Sequence, residues 1–125
     1  MTGIIVFAHG SRVEAANEAV RKVAAALREA GGFAAVEAAF LELGSPDLMG
    51  AAERLVAAGV ERVIVTPYFL TDGLHMERDL PPLIEKISKK YNGLQIAVSN
   101  TLDGHPGLVT ALLDRALSAI HSHLS

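Results

Sequence analysis

Cysteine is absent from this chain, and that absence removes disulfides, thiolate metal sites and cysteine nucleophiles in one step. Histidine, carboxylate and hydroxyl chemistry remain. No apolar run approaches the roughly 20 residues that span a bilayer, and no basic segment precedes the apolar run near the N-terminus. A soluble, cytoplasmic protein without membrane association is expected. Aromatic residues make up only 5% of a chain that is 50% hydrophobic, so its core must be aliphatic and alanine-rich. The formal charge of −3 comes without a basic stripe, which argues against a nucleic-acid partner.

Several motifs are missing as well. Neither G-x-x-x-x-G-K-[ST] nor G-x-G-x-x-G occurs, so phosphate-cradling nucleotide loops have no support. The G-x-S-x-G nucleophile elbow of many hydrolases is also absent. A receiver domain would place an acidic pair after its first strand, where Ala8-His9 stands instead. Histidine phosphatases carry Arg-His-Gly there, and here Ala8 precedes His9-Gly10.

What is present begins with Gly3–Arg12, GIIVFAHGSR, around which the chain is organised. The apolar run Ile4–Ala8 reads as a strand buried on both faces of a parallel sheet. Ser11 with Glu14 fits a capping box that would start a helix over Glu14–Ala30, with Val20, Val23, Ala24 and Leu27 inward and Gly31-Gly32 as its stop. A second strand follows at Val36–Leu41. Ser45 is the expected cap and Pro46 the first residue of the next helix, whose core face is Leu48, Ala52, Leu55 and Val56.

The third strand lies within Arg62–Pro67, and a long connection, Tyr68–Arg78, separates it from a helix. That helix is expected to be capped by Asp79, to hold Pro81 and Pro82 in its first turn and to bury Leu83, Ile84 and Ile87. Leu94–Val98 is the fourth strand. A last helix from about Pro106 carries Leu108, Leu112, Ala116 and Ile120. The 125 residues are expected to form one domain, 1–125, burying about two thirds of the unfolded surface. Four strand–helix units with right-handed crossovers give an open parallel four-stranded α/β sheet, doubly wound and flavodoxin-like. Helices cover both faces, and the expected order is 2-1-3-4.

That order makes strands one and three neighbours at a switch point, where ligands bind at the carboxyl ends of the strands. His9 arrives there directly. His75, in the connection after strand three, would face it across the crevice. Two imidazoles with a carboxylate such as Glu42 nearby suit a divalent transition metal, and they suit proton transfer near neutral pH. Arg12 and Arg78, beside the histidine segments, would hold an anionic substrate. Phe69, Leu70, Leu74 and Met76 supply loop packing, a partner surface or the bed of a flat ligand. His105 is read as a helix start, and His121 and His123 as favourable charges in a last helical turn.

FAHGSR, FLEL after strand two and GLHMERDLP after strand three together resemble the class II tetrapyrrole chelatases, in particular the small, short CbiX-type sirohydrochlorin chelatases. The likeness runs through nearly the whole chain, down to Gly104-His105-Pro106. It implies insertion of a divalent metal ion, cobalt first and nickel or iron as alternatives, into sirohydrochlorin on the cobalamin, sirohaem or F430 routes. The metal is then a substrate, and no organic cofactor is implied. By motif, His9 and His75 become metal-binding and catalytic, with Glu42 as a further ligand. Ser11, Arg12, Phe69, Leu70, Leu74, Met76 and Arg78 make up the expected ring-binding set. Larger relatives hold two such units in tandem, which implies a homodimer for a single unit. Two other readings stay open: a metal carrier without turnover, and a flavodoxin-like small-molecule binding module.

Overall fold

Four parallel strands form one sheet in the order β2-β1-β3-β4. In this computed structural model the backbone is described for residues 1–70 and 74–123, and the side chains of those residues except 74–76. The strands are β1 (Thr2–Ala8), β2 (Ala35–Phe40), β3 (Arg62–Pro67) and β4 (Gln95–Val98). They alternate with α1 (Glu14–Gly31), α2 (Leu48–Ala57), α3 (Leu74–Lys90) and α4 (Pro106–His123). The sheet and its order agree with the expectation.

β1 is the central strand, and its run from Ile4 to Ala8 is buried throughout. Alternate residues of the sheet feed two cores. Ile5 and Phe7 join Val63, Val65 and the α2 residues Leu48, Ala51, Ala52 and Leu55 on one face, with Leu80 and Ile87 of α3. Val6, Ala8, Ala38 and Phe40 meet Ala24 of α1 on the other. Period-two alternation in β1 therefore sends an all-apolar strand into both cores, which is why no polar residue interrupts it.

Helix starts differ from the sequence reading at three places. Val13, not Ser11, caps α1 and makes no side-chain cap bond. The expected box fails because its partners are engaged elsewhere: the Ser11 hydroxyl accepts from the Val13 N–H, and Glu14 bonds to Arg21 at 2.6 Å. α2 is capped by Asp47, whose carboxylate accepts from the Gly50 N–H at 2.8 Å, not by Ser45. Pro46 lies outside the helix because its carbonyl accepts from the Phe40 N–H, which ties that segment to β2.

α3 starts at Leu74, so Pro81 and Pro82 lie inside it, exposed, and the connection after β3 is shorter than expected. Val23 of α1 is exposed as well. α4 departs furthest. It buries no residue, and Val109, Leu112, Leu113, Leu117 and Ile120 all stand in solvent. The inward stripe expected for it has nothing to pack on in this single chain. Among the described residues no helix is long and apolar enough to cross a membrane.

Candidate active site at the carboxyl end of the sheet

His9 is the first residue after β1, and its position is fixed from both neighbouring strands. On the β2 side the parallel ladder continues past the strand ends: the Leu41 N–H donates to the Ala8 carbonyl at 2.9 Å and the Glu42 N–H to the His9 carbonyl at 3.1 Å. On the β3 side the Tyr68 N–H donates to the Phe7 carbonyl at 2.7 Å. His9 thus stands where β1 and β3 adjoin, at the rim predicted from the topology.

Two side chains flank it. Glu42 Oε1 lies 3.7 Å from His9 Nδ1, and Phe69 sets its ring edge-on at 6.3 Å between centroids. The imidazole and the carboxylate are each more than half exposed, at 52% and 58%. At 3.7 Å the pair is too far apart for a hydrogen bond. Two donors each about 2.1 Å from one cation stand about 3.0–3.4 Å apart, so small rotations bring both onto a single metal ion. Among the described residues no third histidine or carboxylate completes a metal cluster with them.

The remaining candidates divide. His75 is the second residue of α3 by its backbone, which places it at the same end of the sheet just after β3. Its side chain, and those of Leu74 and Met76, lie outside the described residues. Leu70 is 68% exposed beside Phe69 and offers an apolar rim. Arg12 is exposed and forms no ion pair among the described residues. Arg78 is exposed too and approaches Asp79 at 3.4 Å. Ser11 faces inward to the loop itself: its hydroxyl and both of its backbone polar groups are bonded within the chain. His105 caps α4, with Nδ1 accepting from the Gly107 N–H at 2.8 Å, and His121 and His123 close that helix, as their positions suggested.

One residue of the site escaped the sequence reading. Asn17, on α1, is 1% exposed and bonds to both loops that flank His9 and Glu42. The available signal was its place on the stripe of Val20, Ala24 and Leu27, where a polar side chain demands a partner. Glu14 beside it has its carboxyl held below the ordinary range, first by the Arg21 hydrogen bond and then by that of Asn17. A cavity of about 700 Å³ between α1 and the outer edge of β2 is lined by residues such as Arg21, Arg28 and Arg54. Neither His9 nor Glu42 is among the residues that line it.

The CbiX family model matches residues 3–119. A sirohydrochlorin cobaltochelatase of Methanopyrus kandleri is 34% identical over 84 residues, 67% of this chain and 59% of the relative. A chloroplastic sirohydrochlorin ferrochelatase of Arabidopsis thaliana is 33% identical over 113 residues, 90% of this chain and 50% of the relative. The chain therefore spans between half and three fifths of the length of these two proteins. The crystal structure of a CbiX protein from Marinobacter aquaeolei VT8 superposes with a TM-score of 0.83 at 29% identity, covering 97% of this chain and 98% of the other.

Proposed function

The chain belongs to the CbiX family, and from that premise we propose that it is a chelatase that inserts a divalent metal ion into sirohydrochlorin, with cobalt the first candidate and nickel and iron behind it. The observation that carries the reading is the pairing of His9 with Glu42 at 3.7 Å on an open rim beside Phe69 and the exposed Leu70. An imidazole and a carboxylate replace waters on an incoming cation without locking it into a closed cage. An open rim admits a wide, flat ring, and the apolar pair gives its face a place to lie.

Insertion requires two pyrrole N–H protons to leave as the metal enters. A neutral imidazole accepts one such proton readily, but not while the same nitrogen holds the metal. We assign His9 and Glu42 to the metal first and give His75 a share in ligation and proton removal. Arg12 and Arg78 are assigned to the ring's carboxylates, a match of planar guanidinium to carboxylate.

The assembly proposed is a homodimer with the site between subunits, in the cytoplasm. The apolar surface of α4 supports it, since one chain leaves that helix bare.

The experiment mixes purified protein with sirohydrochlorin and Co²⁺, Ni²⁺ or Fe²⁺ under anaerobic conditions and follows the ring's absorption. We expect metal-dependent loss of the free-ring spectrum. In the His9→Ala and His75→Ala variants the rate should fall about a hundredfold or more, with circular dichroism unchanged. Cobalt binding without any change in the ring spectrum would instead mark a carrier.

A further inference from the structure

We infer that Asn17 is the positioning residue that sets the separation of His9 from Glu42. Its carboxamide is a clamp, at Ser11 and Leu43, between two loops that the Glu42 N–H to His9 carbonyl bond already brings together. Oδ1 accepts from the Ser11 N–H at 2.9 Å, and Nδ2 donates to the Ser11 carbonyl at 2.9 Å. The same Nδ2 donates to the Leu43 carbonyl at 2.9 Å and reaches Glu14 Oε2 at 3.3 Å. Ser11 is two residues beyond His9, and Leu43 is the residue after Glu42. One amide therefore holds the chain just downstream of each proposed metal donor.

The second loop needs that hold. Leu43 has φ +56°, a left-handed conformation that a branched side chain adopts only under constraint. Its carbonyl is the one Asn17 takes. Gly44 follows, and a Cβ there would stand 2.7 Å from the Phe40 ring and 3.1 Å from Asn17 Nδ2, so the turn is fitted closely around the clamp. Because Asn17 is on the rigid α1, the two loops are referenced to one helix and not only to each other. Side chains that orient metal ligands from behind change metal affinity by about 10–100-fold when they are removed.

This inference rests on the assignment of His9 and Glu42 to the metal, and the test separates the two. Asn17→Asp keeps the size of the side chain and the acceptor for the Ser11 N–H, but it can donate neither to the Ser11 carbonyl nor to the Leu43 carbonyl. Cobalt binding to the full chain, without sirohydrochlorin, is measured by calorimetry for the wild type, His9→Ala, Asn17→Asp, Glu42→Gln and the Asn17→Asp/Glu42→Gln pair. Thermal midpoints are recorded alongside.

We expect Asn17→Asp to bind cobalt about tenfold or more weakly while remaining folded. In the Glu42→Gln background the same change should cost less than about twofold, because a separation matters only while both donors exist. A full tenfold cost in that background as well would make Asn17 a merely structural residue and overturn the inference, as would unchanged affinity in Asn17→Asp. Unchanged affinity in His9→Ala would overturn the metal assignment itself. Should Asn17→Asp lose its fold at 25 °C, the cycle is run with Asn17→Ser, which also lacks the reach to Leu43, and is read the same way.

Discussion

Gly10 shows how little freedom the site allows a single residue. It has φ +99°, and a Cβ built there would stand 1.6 Å from the Glu42 carbonyl oxygen. Any side chain must displace the loop that carries Glu42, and it would disturb the Glu42 N–H to His9 carbonyl bond on the way. The left-handed conformation alone costs a non-glycine residue about 1–2 kcal/mol. Gly10→Ala is therefore expected to lower the thermal midpoint by about 5–10 °C and to slow metal insertion about tenfold or more. Gly32 is the control, since it has φ +64° with nothing within 4 Å of its Cβ position. Gly32→Ala should lose stability and keep the insertion rate; equal rates for both variants would contradict the argument. At this scale the sequence exposed His9, Glu42 and Phe69, because each follows the end of a strand. It hid Asn17, whose partner Leu43 is 26 positions away and becomes a neighbour only through the fold.

Among the elements, the strands were legible because burial on two faces leaves an unbroken apolar run, as in β1. Helix starts were not, because several side chains compete for each cap. Asp79 ahead of Pro81 and Pro82 is a fair start signal, yet α3 runs through it from Leu74. Each proline withholds a backbone donor and crowds the carbonyl four residues before it, at Glu77 and Arg78. Two backbone bonds are therefore missing from α3 just after the turn that carries His75, next to the part of the helix that packs through Leu80 and Ile87. Pro81→Ala should restore one helical bond and stabilise the protein by about 1–2 kcal/mol after the gain in unfolded-chain entropy is deducted. If the prolines aim the first turn, insertion should slow severalfold in this more stable variant. Chemical denaturation and initial rates on the same preparation decide it: a stabilised variant with an unchanged rate would leave the prolines without a part in the reaction.

For the whole molecule the question is what covers α4. The helix has 18 residues, none of them buried, and Val109, Leu113, Leu117 and Ile120 recur at helical spacing along one side. Its outer neighbour in sequence, β4, is also poorly covered, with Val98 at 42% exposure. A mean hydropathy of +0.33 is high for a chain with so little aromatic content. The sequence reading placed the apolar series Leu108, Leu112, Ala116 and Ile120 on this helix but could not say that its apolar residues would find no core in their own chain. A second copy is the simplest cover, since two-fold pairs are the commonest assembly and offer the same surface twice. A partner would also wall a rim that is open here, as a large flat ligand requires. Light scattering at micromolar concentration should give twice the chain mass of 13.2 kDa. Leu113→Glu with Leu117→Glu should reduce that to one chain mass and cut insertion about tenfold or more, while circular dichroism keeps its helical signal. Within the single chain these positions are already exposed, so the substitutions remove little packing and cost little stability of their own. Ser118→Glu, on the opposite side of the helix, should change neither mass nor rate. A wild-type chain that scatters as a monomer and still inserts metal at full rate would end the dimer proposal and leave α4 to some other partner.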